Sequence, residues 1–380
     1  MRTGPAILVL VGLASGCSGG PATDTLQAPP VNPPVRWGRL IQSPEWFAQY
    51  PRNHAAVLPV PDHPVVLAGT SSRATGAVLE AVRGDDGTSL WRKTMPGPVE
   101  APGVVDGDFL FIGTVNGSVH RIHLPTGTDL WEPPVQLESA VSTSPLLVAD
   151  PPVLVVRDAA DRLTALDPVR GQSLWSRQRP LPVGAPTLRG APDPVLAGGL
   201  IIAGFADGTV EALAPGDGSV RWTRRLCQEK NGMNDADLTP IPLADGAVLA
   251  GCHSRGVARL SALDGEVLKT ALVPGPLFAT LHEGRILLAT SSGKVLALEP
   301  ASLDILWETE LGQTPMAAPR ACGDVLTVPI DRGLAVLSAE GLPLLELATA
   351  YGLSAPAACL DGDLLLITDG GVLVRTGPVP

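Results

Sequence analysis

The chain has 380 residues, with 27 Lys and Arg against 38 Asp and Glu. Its formal net charge of −11 argues against a nucleic-acid partner, which needs a basic footprint. The 42 Gly and 39 Pro fit a chain rich in strand-end turns, and no apolar run after the first 16 residues is long enough for a membrane-spanning helix.

In chain order, residues 1–16 read as a processing segment. Arg2 is a minimal positive region, and Ala6 to Leu13 is apolar but too short to cross a bilayer. Leu13-Ala14-Ser15-Gly16-Cys17 resembles the bacterial lipobox, in which small residues precede a Cys. That resemblance implies a Cys17 lipidated on its thiol as the mature N-terminus; an ordinary secretory signal cut nearby is the alternative. Ser18 rather than Asp follows, which by the same resemblance points to the outer membrane, with the protein facing the periplasm. Residues 17–34 hold a proline-rich run, APPVNPPV, and are expected to form an extended tether of about 3.1 Å per residue.

From residue 35 to 380 one unit is written many times. Val153 to Trp175 contains three strand-length apolar runs separated by Asp, Gly or Pro turns, as antiparallel meanders do. The position four after the turn Gly is Trp91, Trp131, Trp175 and Trp222, and Lys269 (after Gly265), Trp307 and Leu345 (after Gly341) continue the series, at spacings of 38 to 47 residues. A period near 40 with four strand signals per unit predicts an all-β, eight-bladed β-propeller of four-stranded antiparallel blades, strands A to D from the inside out. The last repeat lacks its D strand, and Val35-Arg36-Trp37-Gly38-Arg39-Leu40 matches the D strand around Trp91. Pairing it with residues 372–376 is expected to close the ring. The first repeat carries an insertion at 43–54 with Trp46, Phe47 and Tyr50, read as a plug on the ring or a partner site.

Side-chain chemistry is sparse. Cys227 and Cys252 flank one long connector and could pair. Cys322 and Cys359 occupy matching places in adjacent repeats, where the distance is expected to be too long for a bridge, so buried thiols are predicted. His120 and His123, three apart on a strand, point to opposite faces and cannot chelate together. The Asp-Gly pairs fall at repeat turns, and no Ser/His/Asp set or phosphate-cradling loop stands out.

The unit Gly208-Thr-Val-Glu-Ala-Leu through Gly218 to Trp222 resembles the pyrroloquinoline-quinone-type propeller repeat. Quinoprotein dehydrogenases share that repeat and hold a quinone and calcium on the ring axis. The BamB-like lipoproteins of the outer-membrane β-barrel assembly machinery share it as a scaffold without cofactor. The length, the lipobox, the tether, the closing strand and the lack of an adjacent Cys-Cys pair resemble the second group. The resemblance covers residues 17–380, although a shared fold does not fix a function.

Two short segments carry it further. Thr187-Leu188-Arg189-Gly190 and Asp235-Ala236-Asp237-Leu238-Thr239-Pro240 are similar to the segments through which that family contacts the periplasmic domains of BamA. Carried over residue by residue, the partner-binding positions are Leu188, Arg189, Asp235 and Asp237. Pro186 stands where the family motif has its first Leu, so the apolar half of the contact is reshaped. Both segments lie between a D strand and the next A strand, in connectors of 17 and 18 residues where others take 11 or 12. Pro186 could itself begin the A strand, which would move the insertion after it.

The resemblance thus implies a non-enzymatic scaffold without cofactor, bound to BamA and the assembly complex, with unfolded outer membrane proteins as further partners. The alternatives are a quinoprotein-type oxidoreductase and a lipid-anchored recognition propeller with an unrelated partner.

Overall fold

The computed structural model describes residues 33–41, 57–60, 65–72, 76–179, 192–227, 235–349 and 352–377. Cys17, most of the 17–34 tether and the 43–54 insertion lie outside these residues. The described residues form eight antiparallel sheets, each running A-B-C-D in hydrogen-bonded order, so the eight-bladed propeller read from the repeat is the observed fold. Blades 1 to 7 have their strands within 57–95, 104–136, 146–178, 195–225, 241–271, 276–310 and 320–348, and blade 8 within 358–376 with 35–40. Blade 2 departs in detail. Its outer edge is broken at Pro133 and Pro134 into Thr128–Asp129 and Val135–Gln136, both paired with Ser118–His123. Proline has no N–H to give to a ladder, so the edge cannot run through it.

The ring closes as the sequence predicts. Val35–Leu40 is strand D of blade 8 and pairs antiparallel with Val372–Thr376, from Val35 opposite Thr376 to Leu40 opposite Val372. Behind it, Gly377 N donates to Pro34 O at 2.6 Å. Strands B and C of each blade are buried on both faces, so they read as near-continuous apolar runs such as Val153–Arg157 and Thr209–Leu213. The core is correspondingly divided into eight clusters, each shared by two neighbouring blades. The cluster of Val57, Val66, Val78, Leu365, Ile367 and Leu373 joins blade 1 to blade 8.

What fixes blade to blade at the outer radius is a tryptophan of the D strand. Six blades carry one, its indole lying on the turn between strands C and D of the next blade, and five of the six donate to a carbonyl there, Trp307 over Gly341 being the exception. Trp37 reaches Gly84 O (3.0 Å), Trp91 Leu124 O (2.6 Å), Trp131 Val169 O (3.0 Å), Trp175 Pro215 O (2.8 Å) and Trp222 Ala262 O (2.9 Å). The ring fits only because the turn residue beneath it is glycine. At Gly218, with φ +67°, a Cβ would stand 2.6 Å from Trp175, and the backbone conformation itself disfavours an L side chain.

Two seams lack this contact. Blade 5 has Lys269 in place of Trp, and the matching turn residue of blade 6 is Leu303, at φ +59° and 3 % exposed. Leu303 fills from below the space that an indole covers elsewhere. Blade 7 has Leu345, and blade 8 has no continuous turn between its C and D strands, because the D strand comes from the other end of the chain. There the inner strands are joined covalently. Cys322 on strand Arg320–Cys322 and Cys359 on strand Ala358–Leu360 form a disulfide with a Cα–Cα distance of 5.2 Å. The expectation of buried thiols is therefore corrected. Inner strands converge toward the ring axis, so equivalent positions of adjacent blades approach within bridging distance there.

The seam between blades 1 and 2 carries a polar chain beside its apolar cluster. Lys93 pairs with Asp129 at 2.7 Å, Asp129 meets His120 Nδ1 at 3.1 Å, and His120 Nε2 meets Ser118 Oγ at 2.9 Å. Burial pushes the His120 imidazole below the ordinary histidine range, with Asp129 opposing and Lys93 adding to the shift.

Two outcomes follow from these seams. Gly218→Ala should lower the unfolding free energy by at least about 1–2 kcal/mol, the cost of a side chain in the left-handed region, before any displacement of Trp175. Adding Trp175→Leu should recover part of that loss. A urea midpoint for Gly218→Ala equal to wild type would remove the tryptophan contact as a constraint. For His120 the unfolded chain binds the proton more tightly than the folded one. Its contribution is complete above the ordinary value of about 6.5 and is lost as pH falls through it toward the lower folded value. Melting temperatures at pH 7.5 and 5.5 should therefore differ less in His120→Gln than in wild type.

Candidate partner-docking rim

Each D strand exits beside the turn between strands B and C of its own blade, so the D-to-A connectors and these turns share one face of the ring. Arg179 N donates to Asp161 O, Leu226 and Cys227 N to Gly208 O, and Leu311 N to Gly293 O. The two enlarged connectors leave blades 3 and 4 on this face. The first runs from strand Ser173–Gln178 to strand Val195–Ala197, and the second from Val220–Arg225 to Ile241–Pro242. Strand A of blade 4 thus starts beyond Pro192, which leaves the insertion ahead of it.

Of the four sequence-derived partner positions, Leu188 and Arg189 lie outside the described residues. Asp235 and Asp237 sit on the second connector, close to its anchorage. Asp235 is 5 % exposed and Asp237 is half-buried, and both carboxylates of this pair have oxygens shielded from water. Between them Ala236 N donates to Phe205 O (3.1 Å), and Leu238 is buried in the seam of blades 5 and 6. These acids are built into the root of the connector, with both carboxylate oxygens of Asp237 shielded from water.

The connector is clamped at its other end as well. Cys227, directly after the D strand, forms a disulfide with Cys252 at the end of strand Ala247–Cys252, with a Cα–Cα distance of 6.2 Å. The pairing that the sequence left open is thus made. It ties the exit of blade 4 to blade 5.

Beneath the first connector lies a charged group that the repeat pattern did not reveal. Arg157, the last residue of strand Val153–Arg157, is 1 % exposed. Its guanidinium donates to Pro192 O (3.2 Å), to Gly204 O and to Asp161, and lies 5.1 Å from the centre of the Phe205 ring. Asp161 accepts in turn from Ala206 N at 2.9 Å. Arg179, at the start of the connector, faces the same ring and pairs with Asp207 and with Glu211, which is fully buried. On the far side, Asp193 accepts from Ser144 N (2.8 Å), and its own N–H donates to Thr239 Oγ1 (3.2 Å) on the second connector. Burial pushes the Asp193 carboxyl above the usual aspartate range, against the lowering effect of the Ser144 bonds and Arg157. An Arg ending a buried strand was the available signal, since an arginine there needs several partners.

Sequence reasoning also missed a Ser-His-Asp alignment. Ser118 and His120 lie two apart on one strand and so share a face, with Asp129 on the neighbouring strand of the same blade. The order Ser118 Oγ, His120 Nε2, His120 Nδ1, Asp129 follows that of a hydrolase triad. Ser118 is 4 % and His120 2 % exposed, and Ser118 Oγ is also bonded to Thr114 Oγ1 at 2.6 Å. A nucleophile must reach a substrate carbonyl, and this hydroxyl is enclosed between two blades, so the set acts as a seam contact. Among the described residues, no three His, Cys, Asp or Glu side chains converge as a ligand set for a metal.

Residues 75–276 match the family model described as outer membrane protein assembly factor BamB. Similar curated proteins of that name come from Yersinia pestis and Bordetella pertussis. The first is 26 % identical over 219 residues, 56 % of this chain and 54 % of the relative. The second is 29 % identical over 155 residues, 41 % and 38 % respectively. The chain spans between 38 % and 65 % of the length of curated relatives of that name. Among solved structures, BamB from Moraxella catarrhalis superposes with a TM-score of 0.72 at 21 % identity, covering 89 % of this chain and 99 % of that one. A quinohemoprotein alcohol dehydrogenase from Pseudomonas putida HK5 reaches 0.67 at 12 % identity, covering 91 % and 77 %, a likeness of fold alone. The family match runs from strand C of blade 1 to the end of blade 5, with both enlarged connectors, and the chain belongs to the outer membrane protein assembly factor BamB family.

Proposed function

We propose that this protein is a non-enzymatic scaffold in outer-membrane protein assembly that binds the periplasmic domains of BamA. The observation that carries the reading is the family match across the part of the ring bearing both enlarged connectors. The contact surface is the rim over blades 3 to 5. Leu188 and Arg189 supply an apolar side chain and a planar donor fork, and Asp235 and Asp237 hold the acidic segment beside them. The ring needs no cofactor for this work, because a set of rigid blades presents loops at fixed spacing. Cys17 is lipidated and inserts in the outer membrane, and the proline-rich tether keeps the ring in the periplasm within reach of the complex. Unfolded outer membrane proteins are clients of the assembled complex.

The anchor is checked by fractionation. Cys17→Ser should release a folded protein into the soluble fraction, and a substituted protein still held in membranes at high salt would argue for another anchor. The rim is checked by capture. Arg189→Ala with Asp237→Ala should abolish co-purification of BamA, since truncating one member of a desolvated charged contact commonly costs about 2–5 kcal/mol. Circular dichroism should be unchanged, because the blades keep their core. A folded double variant that retains BamA at the wild-type level would take this rim out of the mechanism. If wild type brings down no component of the assembly machinery, the whole reading fails.

A further inference from the structure

We propose that Arg157 is a positioning residue that couples the roots of the two enlarged connectors, at Pro192 and Asp193 and at Ala236 and Thr239, so that they stand as one surface. The partner role of that surface rests on the reading above, while the coupling itself stands on the geometry alone. Arg157 belongs to neither connector. Its guanidinium nevertheless holds the end of the first connector at Pro192 O and the B–C turn of blade 4 at Gly204 O. That turn holds the second connector, through Phe205 O and Ala236 N. The connectors also touch directly, where Asp193 N donates to Thr239 Oγ1. Moving Pro192 therefore moves Asp193 and its bond to the second connector, and moving Gly204 moves Phe205 and Ala236.

Only an arginine can do this here. Its planar fork donates to two carbonyls and a carboxylate at once, whereas a lysine offers a point charge on a flexible stem. The charge matters as much as the fork. Three carboxylates come close to Arg157: Asp158 and Asp161 from its own turn and Asp193 from the first connector. Without the guanidinium these acids repel one another in a site shielded from water, and the end free to leave is the connector. Arg179 does not replace it, because Asp207 and Glu211 already engage both of its terminal nitrogens.

The test uses the full-length protein and two readouts, hydrogen exchange at the Asp193 and Ala236 amides and affinity for the isolated BamA periplasmic domains. In Arg157→Met both amides should exchange faster and affinity should fall on the order of tenfold, within the range seen for residues that couple sites. Arg157→Met with Asp161→Asn removes the unpaired carboxylate. It should regain most of the melting temperature but not the affinity, which also covers the case in which the single variant folds poorly. Glu80→Gln, a buried carboxylate of the ring-closing seam remote from the rim, serves as the control that lowers stability and leaves both readouts at wild type. Faster exchange at Asp193 with Ala236 unchanged would show independent connectors and overturn the proposal. So would wild-type affinity in a folded Arg157 variant, or affinity that tracks melting temperature in all three. If wild type does not bind BamA domains at all, the functional reading falls, and the exchange arm still decides whether the connectors are coupled.

Discussion

The ring depends on an exclusion between two atoms' worth of space. An indole can lie on the next blade's turn only if that turn has no side chain, and a turn side chain can be buried there only if no indole arrives. Trp37, Trp91, Trp131, Trp175, Trp222 and Trp307 take the first solution, over Gly87, Gly127, Gly171, Gly218, Gly265 and Gly341. Lys269 with Leu303 takes the second. Each tryptophan covers roughly 150–250 Å². At about 25 cal/mol per Å² this is an upper bound of several kcal/mol per seam, enough to make blade-to-blade register a strong preference. The contact also runs in one direction, each blade gripping the next, so the stability of any blade is set partly by its predecessor.

Polar contacts then distinguish seams that the tryptophans leave alike. Arg39 from blade 8 and Arg92 from blade 1 both reach the fully buried Glu80, so the closing strand is located by charge as well as by its ladder. Lys93 and Arg177 hold the place of Arg39 at the seams between blades 1 and 2 and between blades 3 and 4, pairing with Asp129 on the outer edge of blade 2 and with Glu211 on strand C of blade 4. At the seam of blades 5 and 6 the corresponding positions are Ala271 and Leu296, and the contact is apolar. Ion pairs with one buried member add little net stability once desolvation is counted. Their value is selective: a closing strand shifted by one residue would turn Arg39 away from Glu80 and bring Leu40 into its place.

Much of this was legible because a propeller repeats its errors and its successes. The recurring position held by Trp, and by Lys269 and Leu345 in two repeats, located the blades, and the sequence around Trp37 was enough to place the closing strand. What escaped the sequence has a common geometric origin. Cys322 and Cys359 were placed at equivalent positions, correctly, but a repeat pattern carries no radius, and the distance between equivalent positions shrinks toward the axis. Ser118, His120 and Asp129 required knowing that strands C and D of blade 2 put these side chains on one face of one seam. For Arg157 the pattern showed a strand end and nothing of the carbonyls that converge on it. Asp235 was read as a partner-binding position from its motif, and its burial, set by the anchorage of Ala236 on Phe205, was not legible there.

That anchorage bears on how such a ring can act. A scaffold that recognises a partner through loops must limit the conformations those loops sample, because ordering them on binding would subtract from affinity. Here the limits are imposed at the roots: a disulfide at Cys227, a backbone bond at Ala236, and a buried guanidinium beneath Pro192. None of these groups needs to touch the partner. The blades supply a frame in which two adjacent seams hold the roots a fixed distance apart, and the tryptophan contacts of Trp175 and Trp222 hold those seams. The residues at the loop tips are then free to vary in sequence without altering where they stand. On the proposed reading, a fold shared with quinoprotein dehydrogenases would serve recognition instead, since the chemistry of the rim is set by connector length and root anchorage rather than by the ring.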